Sequence, residues 1–117
     1  MIIFLTCLET PTLQKGATWL LKKHCESRGE VEENQTVKTY TLLPKYEHWE
    51  TKLHILQIMP YFPIPSSAKN EVVLFLRHCL EQSQKFVRAW SYNGFYELAY
   101  QYPEYQDEAK QLFEIAL

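Results

Sequence analysis

A chain of 117 residues with a net charge of −2 and 46% apolar residues fits one domain, residues 1–117, and is apolar enough to fill a core. That balance argues against intrinsic disorder and against global attraction to nucleic acid or an anionic membrane. Three glycines and a single aspartate, Asp107, weigh against an all-β chain, a phosphate-cradling loop and most metal or phosphoryl-transfer centres.

The charge alternates along the chain: +2 over residues 1–28, −3 over 29–50, +3 over 51–93 and −4 over 94–117. Patches of this size read as solvated faces. Cys7, Cys25 and Cys79 are odd in number and form no C-x-x-C, which points to a reducing compartment. The apolar run 1–8 is too short to span a membrane and lacks a basic start and a cleavage site. It reads as a buried first helix, and the protein as cytoplasmic with no membrane contact.

In chain order, Thr10 followed by Pro11 is an N-cap with proline at the first helical position. A helix is predicted over Pro11–Ser27, with Leu13, Ala17, Leu20 and Leu21 on its apolar face, Trp19 at one edge and a stop at Arg28-Gly29. A short helix is predicted from about Asn34 to Leu43, ended by Pro44. His48–Met59 carries Trp49, Leu53, Ile55, Leu56, Ile58 and Met59 and stops before Pro60. Tyr61–Pro65 is a loop, since prolines at 60, 63 and 65 cannot continue a helix.

Ser66 or Ser67 caps a helix over about 67–82, with Val72, Val73, Phe75, Leu76, Cys79 and Leu80 as its stripe. Ser83 caps the next, about Gln84–Gln101, which Pro103 ends. The last helix spans about Glu104–Ala116. Short links between these helices favour antiparallel neighbours.

A weak repeat runs through the chain. Lys15, Lys52 and Arg88 are spaced 37 and 36 apart, with Thr10, Glu47 and Ser83 five residues before them and Trp19, Leu56 and Tyr92 four residues after. The clearest unit is Ser83-Gln84-Lys85-Phe86-Val87-Arg88-Ala89 with Phe95-Tyr96-Glu97-Leu98-Ala99. This segment resembles the HEAT repeat, in its turn, its Val-Arg pair and its following Leu-Ala. The resemblance covers most of the chain and is specific over about 83–99. It implies an all-α, right-handed α-α superhelix of about three antiparallel helix pairs plus a C-terminal helix, offering a protein-interaction surface and no activity. The structural positions it assigns are Thr10, Lys15, Glu47, Lys52, Ser83, Val87 and Arg88. The family usually places aspartate at the turn position, where this chain has Thr10, Glu47 or Ser83, so the family's Asp-Arg ladder lacks its aspartates here. Gly94, where the family favours alanine, lets helices approach closely.

Candidate chemistry is sparse. His24-Cys25 and His78-Cys79 invite a metal reading, but adjacent helical residues diverge by about 100° and zinc needs four convergent ligands. Cys25, beside Lys22, Lys23 and His24, lacks an orienting acid for a nucleophilic role. No catalytic residue, cofactor or metal ligand is assigned. Tyr92, Tyr96 and Tyr100 step by four along one helix and form a stripe that is either core packing or a partner-binding face. The reading is therefore a noncatalytic interaction module with a protein partner. Its alternatives are a nucleic-acid-binding HEAT-like protein and a small enzyme or metal protein without a recognisable motif. Apolar ends at Met1–Leu8 and Tyr105–Leu117 make self-association a further option.

Overall fold

The computed structural model describes residues 7–116, and the expected first helix lies mostly outside them. Residues 7–9 are helical, and Leu8 is fully buried. Six α-helices follow among the described residues: α1 Gln14–Glu26, α2 Glu33–Thr41, α3 Trp49–Ile58, α4 Lys69–Leu80, α5 Lys85–Gln101 and α6 Gln106–Ala116. No strand occurs among the described residues.

Four prolines open tight turns. Pro11, Pro44, Pro60 and Pro103 each sit in the first two positions of a 3-10 turn, at Pro11–Leu13, Leu43–Lys45, Met59–Tyr61 and Pro103–Tyr105. Their fixed φ and missing N–H suit the start of a tight turn, where that N–H has no partner to lose. Two predicted α-helices therefore begin as 3-10 turns, and a third such turn, Ser66–Ala68, leads into α4.

Several predicted caps are corrected. The N-cap of α3 is His48, whose Nδ1 accepts from the Glu50 N–H at 3.2 Å, and not Glu47. The N-cap of α5 is Gln84, and not Ser83. The short helix α2 carries a capping box, Glu32 with Gln35, which offsets its β-branched content.

Helix α1 ends in a Schellman arrangement. The Arg28 N–H bonds the Cys25 carbonyl at 3.0 Å and the Gly29 N–H bonds the His24 carbonyl at 2.8 Å. The left-handed residue is Arg28, with φ 64°, and not the glycine. Gly29 answers a different need, because a Cβ there would run into the His24 ring. Arg28→Gly is therefore expected to raise stability by about 1 kcal/mol in urea unfolding, since glycine adopts that φ without strain. An unchanged midpoint would contradict it.

The packing converges on α5, which meets α3, α4 and α6. Helix α1 lies against α3 and α3 against α5; α2 meets α4, α4 packs on α5, and α6 folds back on α5. Burial follows the repeat spacing. Gln14, Thr51 and Val87 are buried at intervals of 37 and 36, as are Thr18, Ile55 and Ser91, and then Leu21, Ile58 and Gly94. The apolar face predicted for α1 is corrected by the same register. Leu13 and Leu20 are exposed, while Gln14 and Thr18 turn inward.

Those inward polar groups are paired. Gln14 Nε2 donates to the Leu8 carbonyl at 2.9 Å, and Thr18 Oγ1 lies 2.9 Å from His54 Nδ1, joining α1 to α3. The loop after α3 is fastened on both sides. The Tyr40 hydroxyl donates to the Phe62 carbonyl at 2.8 Å, the Ile64 N–H to Gln101 Oε1 at 2.6 Å, and the Tyr102 hydroxyl to the Ile64 carbonyl at 2.5 Å.

Burial holds the His54 imidazole below its ordinary value of 6.5, and the nearby Lys22 charge adds to the effect. The unfolded chain therefore binds more protons than the native one once pH falls below that value. Stability contributed by neutral His54 is present above about pH 6.5 and is lost on further acidification. The urea midpoint is expected to fall between about pH 7 and pH 5, and less so in His54→Gln. Equal slopes in both proteins would contradict this assignment.

Candidate functional site: an aromatic groove between α5 and α6

The stripe predicted at Tyr92, Tyr96 and Tyr100 runs down the side of α5 opposite its core residues. Val87, Gly94, Phe95, Leu98 and Ala99 are buried, and they take the inner face. The helical period then carries the tyrosines outward. Tyr92 is half-buried, Tyr96 is 55% exposed and Tyr100 is 75% exposed. The stripe is therefore surface at its C-terminal half. The Tyr96 and Tyr100 rings stack with centroids 6.3 Å apart and planes inclined by 22°.

These rings form one wall of a groove of about 350 Å³, with Ala99 and Ala109 also lining it and Phe113 of α6 joining them. Lys110 and Glu114 are its charged members. Small residues let α6 approach α5, and the larger rings stand clear of that contact.

Helix α6 is held in place from α4. Arg77 and Glu108 pair through two parallel hydrogen bonds, Nε to Oε2 at 2.8 Å and Nη2 to Oε1 at 2.7 Å. Hydrogen bonding by Arg77 keeps the Glu108 carboxyl below its usual range. Lys69 meets Glu104 at 3.1 Å, just before α6 begins. Both pairs are partly exposed, so they orient α6 more than they stabilise it.

The repeat positions do not share one environment. Lys15 is exposed and meets Glu50 of α3 at 3.3 Å. Arg88 reaches back from α5 to the carbonyls of Gln82 and Ser83, at 2.8 and 2.9 Å. Lys52 is buried, at 7% exposure, and its ammonium lies 3.1 Å from His78 Nε2 and 3.4 Å from Gln82 Oε1. Sequence reasoning had no signal for that difference, because His78 reaches Lys52 from another helix. Thr10 precedes its 3-10 turn in extended conformation, and Glu47 stands outside α3.

The two His-Cys pairs separate as helical geometry requires. Cys25 and Cys79 enter the core, and burial pushes their thiols up to about 11 and about 12. A thiol that high holds almost no thiolate at neutral pH and is inert as a nucleophile. His24 and His78 stay at the surface, His24 bonding the Glu30 carbonyl at 2.8 Å and His78 meeting Lys52. Among the described residues no three His, Cys, Asp or Glu side chains converge as metal ligands, and no helix is long and apolar enough to cross a membrane. Comparison of the chain with protein-family models, curated proteins and solved structures finds no match.

Proposed function

We propose that the chain is a noncatalytic protein-interaction module of HEAT-like build, its helix pairs stacked as a right-handed superhelix. In this reading the α5–α6 groove receives an amphipathic helix of a partner protein. The observation that carries the reading is the pair of stacked, exposed tyrosines, Tyr96 and Tyr100, beside an apolar groove between two helices. Tyrosine offers a large apolar body and a polar tip at low entropic cost, and helices are commonly recognised in such grooves.

Support for the HEAT-like build comes from α1, α3 and α5 packing in succession and from burial recurring at intervals of 37 and 36. The tyrosine groove lies between α5 and α6, with Tyr96 and Tyr100 exposed beside it. Lys110 and Glu114 at its margin set the register of an incoming helix by charge.

Binding to the partner purified from the native host tests the reading. Tyr96→Ala with Tyr100→Ala is expected to weaken affinity about tenfold or more, whereas Phe86→Ala, exposed on the same helix, leaves it unchanged. Equal losses in the two proteins would overturn the assignment. A second copy of the chain is a competing occupant, favoured by the exposed Ile115 of α6. Light scattering across a concentration series separates the two, since a strict monomer leaves only the foreign partner.

A further inference from the structure

Lys52 opens onto a second cavity, separate from the tyrosine groove and independent of the reading given to it. Leu43 and Pro44 from the turn after α2, Leu74 and Phe75 from α4, and Tyr46 enclose about 330 Å³ together with Lys52, His78 and Glu71. That volume lies within the range of small-ligand sites, which begin near ~300 Å³.

The polar end of this cavity is unusual. Lys52 is the one lysine or arginine that the fold buries among the described residues. Its ammonium has three hydrogens; Gln82 Oε1 accepts one, and a second points to His78 Nε2, which the Gln82 amide nitrogen also approaches at 3.0 Å. Both partners, an imidazole and an amide, carry no negative charge. No carboxylate stands within 4.0 Å of Lys52 among the described residues. A buried cation so placed has no anionic partner within 4.0 Å and has one N–H donor beyond these two contacts.

We infer that the cavity binds a small monocarboxylic acid with an apolar chain. The carboxylate takes the third hydrogen of Lys52 in a charge-assisted bond, and the chain lies along Leu43, Leu74 and Phe75. Glu71, exposed at the cavity, repels a second negative charge and so disfavours dicarboxylates and phosphate esters.

Octanoate serves as the probe, titrated into the protein while NMR follows the His78 ring and the Lys52 Cε signals. Saturable shifts at both are expected, with octanol and acetate binding at least about tenfold more weakly. Lys52→Met is expected to lose the preference for octanoate over octanol. Leu74→Glu changes an exposed position, so the fold is spared; it places a carboxylate in the cavity and is expected to abolish octanoate binding. Equal affinity for octanol and octanoate, unchanged binding in Leu74→Glu, or no octanoate binding overturns the proposal. Binding confined to peptides with a free C-terminal carboxylate also overturns it, by assigning the cavity to a chain end.

Discussion

Phe95→Ala is expected to cost about 3–5 kcal/mol of stability, while Tyr96→Ala, one residue along the same helix, changes it by less than about 0.5 kcal/mol. Phe95 is fully buried and belongs to the common core with Leu56, Leu76 and Leu98, so truncation leaves a cavity that packed neighbours cannot close. Tyr96 is more than half exposed, and its ring rests on Tyr100. The contrast separates the two readings of the tyrosine stripe. Urea unfolding of both variants measures it, with the denaturant slope as a check that each remains two-state. If Tyr96→Ala and Tyr100→Ala each cost several kcal/mol, the stripe is core and the proposed interaction face fails.

Gly94→Val is expected to cost about 3 kcal/mol through overpacking. Gly94 faces inward where α5 crosses α3 and α4. A Cβ there would fall inside the contact distance of Leu76 Cδ2, and would sit 3.3 Å from Met59 Sδ and 3.5 Å from Leu56 Cδ2. Leu76, Met59 and Leu56 are themselves fully buried, so none can swing into solvent to make room. Gly94→Ala sets two effects against each other. Alanine gains about 0.5–1 kcal/mol of helix propensity and loses more by displacing Leu76. The expected net is a loss. A Gly94→Ala variant that unfolds at higher urea than the parent would show that the helices have slack at this crossing.

Helix positions were legible in the sequence because prolines and apolar periods mark them without help from tertiary contacts. The segments around α3, α4 and α5 lie within a few residues of their predicted spans. Caps were less legible. Ser83 and Glu47 have the better position in the repeat, yet the chain turns into the helix one residue later, at Gln84 and His48. Which side chain caps depends on where the preceding turn releases the backbone, and short-range propensity does not fix that.

The inward face of α1 was misread for a physical reason. Leu13 and Leu20 outrank Gln14 and Thr18 on any apolar scale, but Gln14 reaches the Leu8 carbonyl and Thr18 reaches His54. Polar groups are tolerated inside when a partner waits there, and for Thr18 that partner is 36 residues away. The same holds for Lys52. Its sequence spacing matches Lys15 and Arg88, and only the fold brings His78 and Gln82 over it. The tyrosine stripe was legible as a stripe, because spacing by four dictates one face. Its exposure was not, because α6 covers Ala99 and leaves Tyr96 and Tyr100 open.

In the proposed function, the groove between α5 and α6 receives a partner helix. Site-specific photocrosslinking tests it directly, with a photoreactive phenylalanine analogue placed at Tyr100 in one protein and at Leu20 in another. Both positions are exposed, and they lie on different helices, α5 and α1. A discrete adduct with one protein of the native host is expected from position 100 and none from position 20. Equal labelling from both positions, or adducts from position 20 alone, would contradict it.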